Sequence, residues 1–143
     1  MKNYIIRPYI SIGEIELNAK IVEINSFLNK EDSGIIASDT NYITINYNLG
    51  ITVSYLKGFS SFIGVTINLL PIHEEFSFID KNYNEVINYF KKFPGKIHYE
   101  EDVGIISEFL GISVYFEDGI KEVGIFVKEY IEEMIIGMQT INN

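Results

Sequence analysis

The chain has 143 residues, 47% of them hydrophobic, with ten Tyr, ten Phe and no Trp, enough to fill the core of one ordinary globular domain. It contains no Cys, which excludes disulfides, thiolate metal sites and cysteine nucleophiles. A formal net charge of -9 argues against binding nucleic acid, whose phosphate field repels an acidic body.

In chain order, residues 3–7 read as a short strand closed by Pro8. No apolar run of signal-peptide length is present there, and no segment approaches the roughly 20 apolar residues of a membrane helix. A cytoplasmic protein with no membrane contact is therefore expected. Leu17, Ile21, Ile24, Phe27 and Leu28 follow the spacing of an amphipathic helix over 17–28. A strand at 34–37 and a turn at 38–41 come next. Over 42–47 the alternation is strict, with Tyr42, Thr44 and Asn46 on one face and Ile43, Ile45 and Tyr47 on the other. Asn48-Leu49-Gly50 connects to a strand at 51–55, and a further strand spans 62–69.

Beyond Pro71, the spacing predicts a helix over 81–93, with Asp80 as its N-cap and Pro94-Gly95 as its stop. Strands are predicted at 96–99, 104–109, 112–116 and 122–128. Apolar residues Tyr130, Ile131, Met134, Ile135 and Met138 predict a C-terminal helix over 129–138.

The chain nearly repeats itself. Leu49-Gly50-Ile51-Thr52-Val53-Ser54-Tyr55 returns 61 positions later as Leu110-Gly111-Ile112-Ser113-Val114-Tyr115-Phe116. Ile63-Gly64-Val65 is then echoed by Val123-Gly124-Ile125 at an offset of 60, as though one turn had lost a residue. The expected fold class is α+β: one domain spanning 1–143, containing a pseudo-repeat of 12–70 and 75–128. Each unit would be a helix followed by about four mainly antiparallel strands, the two sharing one core, with the C-terminal helix added. Neither unit alone could cover the apolar face of its sheet.

Charge is uneven between the halves. Residues 1–71 carry five basic and six acidic side chains, a net of -1, whereas 72–143 carry six and fourteen, a net of -8. The excess lies in groups such as Glu100-Glu101-Asp102 and Glu117-Asp118. These groups fit solvated loops, and they equally fit an acidic patch that steers a basic partner.

Chemical motifs are sparse. His73 and His98, each beside carboxylates, lack the short helical spacing of a zinc pair. Ser38 and Asp39 with either His could be drawn as a hydrolase triad, as most chains of this size permit. The glycines form no phosphate-binding loop. The expectation is a non-enzyme with no cofactor and no metal. A small-ligand or enzymatic domain using a cleft between the units is the alternative.

The opening Ile12-Gly13-Glu14-Ile15-Glu16-Leu17, the amphipathic helix and the Leu-Gly-Ile-x-Val-x-aromatic hairpin together resemble small bacterial immunity proteins of polymorphic-toxin and contact-dependent growth inhibition systems. The tandem helix-plus-sheet layout is also similar to the β-lactamase inhibitory protein. That resemblance implies an inhibitor that binds a cognate toxin protein and blocks its active site. The residues' own chemistry is compatible with it, because a nuclease toxin carries a basic surface that an acidic inhibitor complements. The partner-binding residues expected on this basis are His98, Tyr99, Glu100, Glu101 and Asp102, with Glu117 and Asp118 from the neighbouring turn, on a monomer or weak dimer.

Overall fold

A computed structural model describes residues 3–38 and 41–143 of the chain. Strands dominate, and the helices are few and short, giving an α+β fold of two mainly antiparallel sheets. The elements are β1 (Tyr4–Arg7), β2 (Ser11–Ile12), β3 (Ile15–Glu16), α1 (Ile21–Asn25), β4 (Lys30–Ser38), β5 (Tyr42–Tyr47), β6 (Ile51–Leu56) and β7 (Phe59–Thr66). After them come β8 (Pro71–His73), β9 (Phe76–Ser77), α2 (Tyr83–Phe90), β10 (Lys96–Glu100), β11 (Gly104–Ser107), β12 (Ile112–Phe116), β13 (Ile120–Phe126), α3 (Ile131–Met134) and β14 (Gln139–Asn142). The large sheet has the order β14-β10-β11-β12-β13-β7-β6-β5-β4 and the small one β3-β2-β1-β8-β9.

The seam of the large sheet is the antiparallel pair β7–β13, in which Gly64 lies directly opposite Gly124 and Ile63 opposite Ile125. Residues facing each other across antiparallel strands share a face. One row therefore runs Ile45, Val53, Ile63, Ile125, Ile112 and Ile97 through the registers of successive pairs, with Ser107 between the last two. Its apolar members are at most 2% exposed. This face is covered by Val86, Tyr89 and Phe90 of α2, by Phe78, and by Ile6, Ile12 and Ile15 of the small sheet, forming one apolar cluster. Each such side chain contributes about 1.5–3 kcal/mol on burial.

The opposite face is made of the alternate residues. One of its rows reads Thr140, His98, Ile106, Ser113, Gly124, Gly64, Thr52, Asn46. The next reads Glu100, Gly104, Tyr115, Glu122, Thr66. The chain crosses this face after β13. The Tyr130 hydroxyl donates to that of Tyr42 in β5 at 3.2 Å, and Gln139 then pairs with Tyr99 in β10.

Several expectations are corrected in detail. The helix expected over 17–28 shrinks to the five residues of α1, because the backbone before it is spent on the sheet. Asn18 N–H donates to Ser60 O, Ser60 N–H donates to Ala19 O, and Lys20 forms a bridge with Phe59. Tertiary pairing here overrides helical periodicity. The second helix begins at Tyr83, with Asn82 rather than Asp80 as its N-cap; the Asn82 side chain accepts from Glu85 N–H and the Glu85 carboxylate accepts from Asn82 N–H. The C-terminal helix ends after Met134, and the chain becomes β14, which covers the otherwise open edge of β10. The strand expected over 34–37 is longer, as β4. The turn expected at 38–41 falls partly on residues 39 and 40, outside the described residues.

Candidate functional site

Antiparallel order places the β10–β11 and β12–β13 turns at the same end of the sheet. They carry Glu100, Glu101 and Asp102 in one and Glu117 and Asp118 in the other, all exposed. A backbone hydrogen bond from Phe116 N–H to Val103 O, 2.8 Å, ties the two turns together. Asp102 and Asp118 adopt left-handed backbone, at φ 61° and 55°, a conformation that Asp tolerates better than most residues. Val103, 39% exposed, sits among the carboxylates. On the helix side of this rim the Tyr83 hydroxyl is buried without a hydrogen-bond partner among the described residues. Burial raises its pKa first, and the charges of Glu101, Tyr99 and Asp102 add to that.

Five of the seven expected partner-binding residues thus form one acidic rim. The other two behave differently. Tyr99 is half-buried and donates to Gln139 Oε1 at 2.8 Å. His98 is buried at 3% exposure, its Nδ1 2.9 Å from Thr140 Oγ1 and its Nε2 2.7 Å from Glu108 Oε2. Both ring nitrogens are occupied, and Glu108 lies beyond the far end of β11, so His98 faces away from the rim. His73 is also buried, its Nδ1 2.6 Å from the Tyr89 hydroxyl, and its pKa is lowered by burial against the weaker opposing pull of Glu74. Among the described residues no group of three or more His, Asp or Glu could hold a metal. Asp39 and the Ser38 side chain, two members of the hydrolase triad that could be drawn from the sequence, lie outside the described residues.

Next to the rim the sheet carries a cleft of about 340 Å³ that the sequence pattern did not single out. Its lining includes Glu31, Asn46, Thr52, Thr66, Tyr115 and Glu122, from β4, β5, β6, β7, β12 and β13. The Glu122 carboxylate lies over Gly64, where an added Cβ would sit 2.5 Å from Glu122 Cδ. Only glycine leaves room for it. Burial raises the Glu122 pKa, with Lys121 pulling weakly the other way. Lys121 is itself engaged with Glu117 at 2.9 Å, which lowers the Glu117 pKa and raises that of Lys121. One signal in the sequence could have found this carboxylate: in β13 Glu122 is two residues from Gly124, so a charge and a bare backbone position share the face opposite the core.

No helix among the described residues is long and apolar enough to cross a membrane. No protein-family model matches the chain, and no curated protein and no solved structure is significantly similar to it.

Proposed function

We propose that this chain is an inhibitor of immunity type, which binds a basic, nuclease-like toxin domain in the cytoplasm and blocks its active site without catalysing a reaction. The observation that carries this reading is the pairing of the two acidic turns, where Glu100, Glu101 and Asp102 stand beside Glu117 and Asp118 on hairpins joined by the Phe116–Val103 hydrogen bond. Such a rim offers a partner dense negative potential on a backbone that needs little ordering on binding, favouring fast encounter and a low entropic cost. Val103 in its midst supplies apolar contact.

The same reading treats the chain as two units, 12–70 and 75–128, related about the Gly64–Gly124 pair. Support comes from the registers, with bulges after Ser54 in the first unit and after Tyr115 in the second, 61 positions on. A superposition in which β4 to β7 failed to match β10 to β13 strand for strand would remove it.

The function is tested by co-expressing the chain with the polypeptide encoded immediately upstream. The expected result is a co-purifying, growth-permissive complex whose association rate falls steeply with salt. In the complex, Glu101→Gln or Asp102→Asn should cost about 2–5 kcal/mol if the carboxylate is buried against a cation. A partner that binds equally well to a chain with all five rim carboxylates neutralised would refute the rim as the binding surface.

A further inference from the structure

We propose that the cleft beside Glu122 is a receptor for a single guanidinium group, held by the Glu122 and Glu31 carboxylates with the Tyr115 ring as one wall. The argument starts from an unmet demand. Among the described residues the Glu122 carboxylate has no hydrogen bond and no ion pair; Lys121, which also lines the cleft, acts on it only through its charge and is bonded to Glu117 at 2.9 Å. A carboxylate drawn partly out of water without a bonded partner costs free energy, which an incoming cation returns. Placing it there also required a bare backbone position at Gly64. The sheet is thus shaped around this group.

The remaining lining narrows the choice of cation. Thr52 Oγ1 donates to Asn46 Oδ1 at 2.8 Å, and Thr66 is the next residue in the Glu122 row, so the walls offer oxygen acceptors. Tyr115, 44% exposed, is the neighbour of Glu122 on its other side. Two carboxylates, neutral acceptors and a part-exposed aromatic ring, beside a Lys121 already engaged with Glu117, suit a planar, weakly hydrated fork that can bond in plane and stack, which an ammonium cannot do as well. No divalent ion is implied, since the described residues do not make a three-ligand set. A cleft of about 340 Å³ holds such a group with its alkyl stem and little more.

Glu100 lies in the same row, beyond Gly104 and Tyr115, so rim and cleft are one continuous surface. The inference rests on the partner reading only for the source of the group, which is either an arginine of the bound protein or a free guanidinium compound. Titration of the isotope-labelled full chain with N-methylguanidinium, with a blocked Gly-Arg-Gly peptide and with the Gly-Lys-Gly analogue, followed by amide shifts, tests the chemistry directly. Saturable shifts at Gly64, Thr66, Tyr115 and Gly124 are expected, with binding weakened roughly tenfold in Glu122→Gln and less in Glu31→Gln. Circular dichroism confirms that the variants fold. Tighter binding of the arginine peptide assigns the source to a protein partner, and binding of N-methylguanidinium alone assigns it to a free small cation. Equal binding of the lysine peptide, or shifts that persist unchanged in Glu122→Gln, would overturn the proposal. Loss of the upstream-encoded partner with this titration intact would remove the partner reading and leave this one standing.

Discussion

The two faces of the nine-stranded sheet are written by alternate residues of the same strands, yet they obey different rules. Toward the core, Ile51, Val53, Ile63, Val65, Ile112, Val123 and Ile125 are fully buried and differ only in how their branches interlock. Toward the other side, the same strands present Thr52, Ser54, Gly64, Thr66, Ser113, Glu122 and Gly124. The inner face specifies where the strands lie, and the outer one specifies what can touch them. Separating the two lets a charged, costly cleft sit one residue from a dry core without disturbing it.

The largest expected effect comes from the inner face at the seam. Ile125→Ala should destabilise by about 2–5 kcal/mol, because the site is packed from both sheets and cannot collapse, and urea unfolding monitored by circular dichroism will measure it. Next comes Gly124→Ala on the outer face, where a Cβ would meet Phe62 Cε1 at 2.7 Å and Ser113 Oγ at 3.0 Å. Overpacking against a ring should cost about 1–3 kcal/mol in the same assay. Gly64→Ala should cost less, since the obstructing atoms belong to the flexible end of Glu122, and its mark should be loss of guanidinium binding rather than loss of stability. Equal destabilisation by the two glycine variants would break the argument that these sites differ.

The smallest effect concerns protons. Burial raises the folded pKa of Glu122 above the ordinary 4.5, so the folded state holds this proton more tightly than the unfolded chain does. Its contribution is then full below the unfolded pKa and is lost as pH rises through the raised folded value. Urea midpoints across that window should fall with pH less steeply in Glu122→Gln than in the parent. Identical slopes would show that the carboxylate is well solvated.

Much of the sheet was legible because strand alternation and turn residues are local. The 42–47 pattern gave β5, and the turns at Gly58 and Gly119 placed the β6–β7 and β12–β13 hairpins. The small sheet was not legible. Two-residue strands such as β2 and β3 carry no period, and they exist because β1 pairs in parallel with β8, a contact between distant segments. The apolar spacing at 129–138 is helical, but Gly137 turns the chain at φ 80° and the open edge of β10 captures Gln139 to Asn142 as a strand. In the candidate site the acidic turns could be read from their position between strands. His98 and Glu100 could not be separated by sequence proximity. Both point to the same face, yet one is sealed by Thr140 and Glu108 while the other stands at the rim. Glu122 escaped notice because a lone carboxylate in a strand looks like any solvent-facing residue until the neighbour beneath it proves to be glycine.

The seam has a kinetic corollary. Each flanking meander can assemble from neighbouring hairpins, whereas β7 and β13 must find each other across the whole stretch that contains α2. Closing that stretch forfeits chain entropy before any contact rewards it, so the joining of the two meanders is expected to be the slow event on the way to the native state. Substitutions along Ile63 and Ile125 should then retard refolding in stopped-flow experiments, whereas changes within the outer hairpins should chiefly hasten unfolding.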